Sequence, residues 1–240
     1  MSITLPYTMF PLGDSALTID FGNLIDPAIH QNVQTVYHLL KKAKLQGVYD
    51  IIPAYSSVTI CYDMYALRPG NEEKTCFDVL AEKIEHLTAI DEEVILPEPK
   101  KISVPVCYSR KFAPDLEFLA EQKEMNIEEI IELHTSATYT VYMLGFLPGF
   151  AYMGEVDERI AIPRKTQPRA KLAAGSVGIA GRQTGIYPLP SPGGWQIIGR
   201  TPLQLFTKHN AHPALFAPGN EVRFYSITED EFANYQSRNS

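Results

Sequence analysis

Long uncharged apolar stretches are missing from this chain. No run approaches the roughly 18 residues that a membrane-spanning helix needs, so no membrane partner is expected. The opening residues, Met1-Ser2-Ile3-Thr4-Leu5-Pro6, have neither the basic nor the apolar region of a secretory signal. Cysteine is scarce: Cys61, Cys76 and Cys107 are odd in number and form no CxxC pair. That excludes a disulfide framework and fits isolated thiols in a reducing, cytoplasmic compartment. No metal site is visible either, since His209 and His212 form a pair without further partners at ligand spacing. A GxSxG nucleophile elbow does not occur. Basic excess is absent too, and the net charge of −7 argues against a nucleic-acid partner.

A second absence is local. Between Arg159 and Asn220 there is not one Asp or Glu, while that window holds eight Lys and Arg residues. Segregated charge of this kind creates a positive potential suited to an anionic ligand or an acidic partner surface.

What is present reads as an α+β chain of two domains, 1–95 and 96–240. Residues 16–21 are strand-like. From 26 to 44, Ile29, Val33, Val36, Tyr37 and Leu40 share a helical face that Gly47 closes. Strands follow at 48–52 and 58–62, rich in β-branched and aromatic residues. Pro69-Gly70-Asn71 opens a second helix carrying Phe77, Leu80, Ala81 and Ile84. Ending on a short strand, this is the order of a split βαβ unit. The charged, proline-bearing segment 91–100 reads as the linker. Beyond it come a strand at 102–108 and a helix from about 114 to 123. A second helix is capped by Asn126 with Glu129 three residues on and ends near His134. Ten of the 15 glycines then fall between Gly145 and Gly199, interleaved with prolines. That texture of short strands and turns suggests a partly closed β-barrel.

Several segments invite chemistry. Gly175-Ser176-Val177-Gly178-Ile179-Ala180-Gly181 has the glycines of an anion-binding nest, yet its spacing is not that of a phosphate loop, and a tight turn at a barrel rim competes. Arg164, Arg169 and Arg182 carry planar forks suited to carboxylate or phosphate oxygens, and Gln183 and Thr184 add neutral donors and acceptors. His134 either supports its helix terminus or shuttles protons. The stretch from Phe146 through Pro148 and Phe150 to Tyr152, and the single tryptophan, Trp195, serve either as core or as a groove that grips a partner.

In order along the chain these motifs, with Pro11-Leu12-Gly13-Asp14-Ser15-Ala16 before them, resemble one family. It is the B-subunit family of 5-oxoprolinase, also described as the sporulation kinase A inhibitor and as the first subunit of allophanate hydrolase. The resemblance implies a ferredoxin-like N-terminal domain and a cyclophilin-like C-terminal β-barrel. It further implies two partners, the 5-oxoprolinase subunits C and A, and ATP shared with them to cleave 5-oxoproline to glutamate. Phosphorylation of the lactam oxygen would make a better leaving group before water attacks, a step that needs cations and N–H donors. On that basis His134 and Arg169 are the expected catalytic residues. Arg164, Gly175, Ser176, Gly178, Arg182, Gln183 and Thr184 are expected to bind substrate or nucleotide. Phe146, Pro148, Phe150, Tyr152 and Trp195 are expected to hold a partner. The alternatives are an inhibitor of a sporulation sensor histidine kinase and a domain of a urea carboxylase. No biotin-attachment Met-Lys-Met is present for the latter.

Overall fold

The computed structural model describes residues 3–68, 73–89 and 94–238. The predicted opening of the second helix at 69–71 and the first residues of the predicted linker, 91–93, lie outside them. The chain divides into two compact units, Met1–Glu98 and Pro99–Ser240.

The first unit runs β1 (Thr8–Pro11), β2 (Ala16–Asp20), α1 (Pro27–Ala43), β3 (Val48–Pro53), β4 (Ser57–Tyr62), α2 (Met64–Leu67) and α3 (Cys76–Ala89). Its sheet is antiparallel in the order β1-β2-β4-β3. α1 starts where its sequence says it should. The Asp26 carboxylate accepts the N–H groups of Ala28 and Ile29, Pro27 occupies the first turn, and Lys44 closes the helix in the left-handed region. Ile29, Val33, Val36 and Leu40 turn inward against Leu17, Ile19, Val58 and Ile60 of the sheet. Burying such side chains contributes about 1.5–3 kcal/mol each.

The fourth strand corrects the sequence expectation. It comes from the N-terminus, as β1, and among the described residues no strand lies between α3 and β5. A hairpin explains the choice. Gly13, at φ 66°, turns the chain and Leu12 N–H bonds Ala16 O at 2.9 Å, so the β1–β2 loop is short and cheap to close. Pro97 and Pro99 lack the N–H groups a strand after α3 would need.

The second unit runs β5 (Lys101–Val106), α4 (Leu116–Lys123), α5 (Ile127–Ser136), β6 (Thr138–Leu144), β7 (Ala151–Gly154), β8 (Arg169–Leu172), β9 (Ser176–Ala180), β10 (Gln183–Ile186), β11 (Ser191–Gly193), β12 (Gln196–Arg200), β13 (Glu221–Ser226) and α6 (Glu229–Arg238). Seven strands form one sheet, β12-β9-β10-β7-β6-β13-β5, antiparallel except for the parallel β13–β5 pair. Cys107 and Arg200, just past β5 and at the end of β12, exchange both backbone hydrogen bonds at 2.8 and 3.0 Å, so the edge strands meet and the sheet closes like a barrel. Val104, Val141, Met153, Val177, Ile179 and Ile186 belong to its core. The Asn126–Glu129 capping box forms as expected and sets the start of α5. β8 and β11 make a separate two-stranded ribbon.

The glycine-rich segment is a strand with a turning glycine at each end. Residues 176–180 are β9, a wholly buried strand with β10 on one side and β12 on the other. Its flanking glycines, Gly175 at φ 82° and Gly181 at φ 59°, make the turns.

Candidate functional site

Two loops and the β8–β11 ribbon build a cleft of about 340 Å³ on the second unit. Its walls include Phe146, Phe150, Tyr152, Arg164, Tyr187 and Trp195. The loop after β6 presents Phe146. Gly145 N–H bonds Phe150 O, Phe150 N–H bonds Leu147 O, and Gly149 takes φ 83°. Phe146 itself sits at φ 65°, unusual for a bulky residue, and is 61% exposed at the rim. Phe150 forms the floor, edge-on to Trp195 at 5.5 Å and to Tyr187 at 5.2 Å. The Arg164 guanidinium lies 5.8 Å from the Trp195 ring centre.

Behind this cleft sits a buried carboxylate that sequence reasoning missed. Asp115 occupies the cap position of α4 but makes no cap bond. It accepts instead from Arg169 Nη1 and Nη2 at 2.7 and 2.6 Å, from Lys165 Nζ at 3.0 Å and from Ile197 N–H at 2.7 Å. Burial alone would raise its pKa. The Arg169 fork, the Ile197 N–H and Lys165 outweigh that and hold the carboxyl below its ordinary value. A clue was available: a window with so many cations and no acid needs counter-ions from outside it. The sequence could not say which acid would come.

The expected site residues do not come together in one place. Arg164, Phe146, Phe150, Tyr152 and Trp195 come together at the cleft, joined by Lys165 and Tyr187, which the sequence did not single out. Pro148 bends the same loop but lies outside the lining. Arg169 is committed to Asp115, and Arg182 pairs with Glu155 at 2.7 Å and Glu158 at 3.1 Å. Gln183 begins β10 half-buried.

His134, Thr184, Ser176 and Gly178 lie in the interior. His134 is fully buried and stacked on Phe224 at 4.5 Å. The Thr184 hydroxyl donates to Gly178 O, so it accepts from His134 Nε2–H at 3.1 Å, and Nδ1 accepts from the Tyr108 hydroxyl at 2.7 Å. That bonding satisfies a neutral imidazole, and burial lowers its pKa to about 3. Ser176 donates to Ala173 O. A Cβ on Gly175 would clash with Thr201 O, which makes that glycine a close-approach position.

Among the described residues, no group of three or more His, Cys, Asp or Glu side chains is arranged to hold a metal ion, and no helix is long and apolar enough to cross a membrane.

Residues 7–216 match the family described as the carboxyltransferase domain, subdomain C and D, and the chain belongs to that family. Three relatives carry a more particular name, that of the B-subunit of 5-oxoprolinase. The chain is 39% identical to the one from Bacillus subtilis, over 99% of this chain and 100% of that one. It is 36% identical to the protein of the same name from Escherichia coli O157:H7, over 89% and 93%. The crystal structure of the K. lactis urea amidolyase shares the fold, with a TM-score of 0.76 at 20% identity. That match covers 98% of this chain but 16% of the longer one.

Proposed function

We propose that this chain is a subunit of an ATP-dependent 5-oxoprolinase that opens 5-oxo-L-proline to L-glutamate together with subunits A and C. The observation that carries the reading is the end-to-end correspondence with the Bacillus subtilis B-subunit, 100% of whose length this chain covers. The fold is consistent with it: we take the first unit as a ferredoxin-like variant whose fourth strand is N-terminal, and the second as cyclophilin-like. The chemistry divides naturally among subunits. The lactam is a poor electrophile until its oxygen is phosphorylated, and the developing charge needs cations and N–H donors. This chain offers a recognition cleft, while its candidate catalytic histidine, His134, is buried and neutral. ATP and the base that activates water are then held with the partners.

Glutamate release from 5-oxoproline and ATP tests this, with the chain alone, with both partners, and with the chain omitted. Turnover only in the full mixture supports the reading.

A second reading, an inhibitor that grips the dimerisation helix of a sporulation sensor histidine kinase, is supported by the exposed Phe146 rim. Absence of turnover with folded partners, together with saturable binding to such a helix, would favour it. A urea carboxylase-type role draws on the carboxyltransferase family match over residues 7–216 and on the fold shared with the urea amidolyase, of which this chain covers only 16%.

A further inference from the structure

We infer that the cleft takes a small planar ring bearing one carboxylate, the cyclic acid of the proposed reaction, and that the nucleotide is held elsewhere. This rests on the oxoprolinase reading and adds which reactant this chain recognises, and through which residue.

The argument begins with charge. Lys165 and Arg169 are engaged by Asp115, and Arg182 by Glu155 and Glu158. Arg164 lies within the carboxylate-free window and has no carboxylate partner among the described residues. Its backbone is nonetheless fixed on both sides. Gln196 Nε2 donates to Pro163 O at 3.3 Å, and Lys165 N–H donates to Gly194 O at 2.7 Å. A guanidinium on a pinned loop, held over Trp195 and left without an anion, is pre-organised for one. Its field reaches the Tyr152 and Tyr187 hydroxyls, where it opposes the effect of burial.

One free fork matches one carboxylate through two parallel hydrogen bonds. A triphosphate spreads several charges and calls for several free cations, which this cleft does not offer. The remaining walls are aromatic faces and edges, suited to the flat face of a lactam. Phe146, held in the left-handed region at the rim, is placed where a bound ring would cover it. The volume of about 340 Å³ is at the small end for ligand clefts, which run from roughly 300 to 1,000 Å³.

Trp195 is the only tryptophan, so its fluorescence reports the cleft directly. The full chain is titrated with 5-oxoproline, with 2-pyrrolidinone (the same ring without the carboxylate) and with ATP. The expected result is a saturable change with 5-oxoproline, at least about tenfold weaker with 2-pyrrolidinone, and none with ATP. Arg164→Ala should weaken 5-oxoproline binding by a similar factor, and Arg164→Lys by less, with unchanged melting temperatures. Equal responses to both lactams, a saturable response to ATP that Arg164→Ala removes, or no response to 5-oxoproline would overturn the inference. Because neither turnover nor a partner is read out, a failure here leaves the proposed place in the enzyme complex to its own assay.

Discussion

Arg169 grips Asp115 with both terminal nitrogens, at 2.6 and 2.7 Å, and in doing so ties the start of α4 to the β8–β11 ribbon that walls the cleft. The Asp115 side chain is 3% exposed, against 29% for Arg169. The pair therefore lies where removing one member strands the other.

Asp115→Asn is expected to cost about 3 kcal/mol, the order found when one partner of a buried ion pair is lost. Arg169→Ala should cost a similar amount, and the double variant far less than the sum. Urea unfolding of the three variants checks this; additive losses would refute the coupling. The pH dependence has a definite sign. The folded pKa of Asp115 lies below its unfolded value of about 3.9, so its contribution is complete above that pH and fades as acid protonates the folded carboxyl. Asp115→Asn should lose that part of the acid sensitivity.

His134 makes a second pH prediction. Its folded pKa is about 3, against about 6.5 unfolded, so the unfolded chain binds the extra proton between those values. Stability should rise with pH through that window, by about 1.4 kcal/mol per pH unit from this residue. His134→Gln should flatten the slope by that amount. The same variant, if folded, should retain turnover in the reconstituted complex, because the imidazole is sealed in the barrel and does not reach the cleft. Loss of turnover with unchanged stability would restore a catalytic role.

Gly175 and Gly181 bracket β9 and separate two costs of adding a methyl group. Both have positive φ, but a Cβ at Gly175 meets Thr201 O while a Cβ at Gly181 meets nothing within 4 Å. Gly181→Ala should lose about 1 kcal/mol from backbone strain alone. Gly175→Ala should lose more than twice that. Equal losses in thermal unfolding would contradict the close-approach assignment.

Much of the fold was legible because its signals are local. The Asp26 cap and apolar face fix α1, the Asn126–Glu129 box fixes α5, and glycines flank β9. What escaped depends on partners distant in sequence. β1 has four residues, one of them Pro11, and becomes a strand only by pairing with β2. The β13–β5 pair joins segments more than a hundred residues apart. The same limit applied to the site. The basic window was visible, yet that Lys165 and Arg169 would share the single carboxylate of Asp115, some fifty residues earlier, was not. His134 at a helix end read first as a support for that terminus, with proton transfer as the alternative, and only the Tyr108–His134–Thr184 chain shows it as part of the interior.

The most direct test of the account is steady-state turnover by the reconstituted complex, wild type against Arg164→Ala, with 5-oxoproline and ATP varied in turn. A chain that supplies substrate recognition to a shared enzyme predicts a KM for 5-oxoproline raised at least about tenfold, with the KM for ATP unchanged. An increase confined to the KM for ATP, or no change in either, would contradict it.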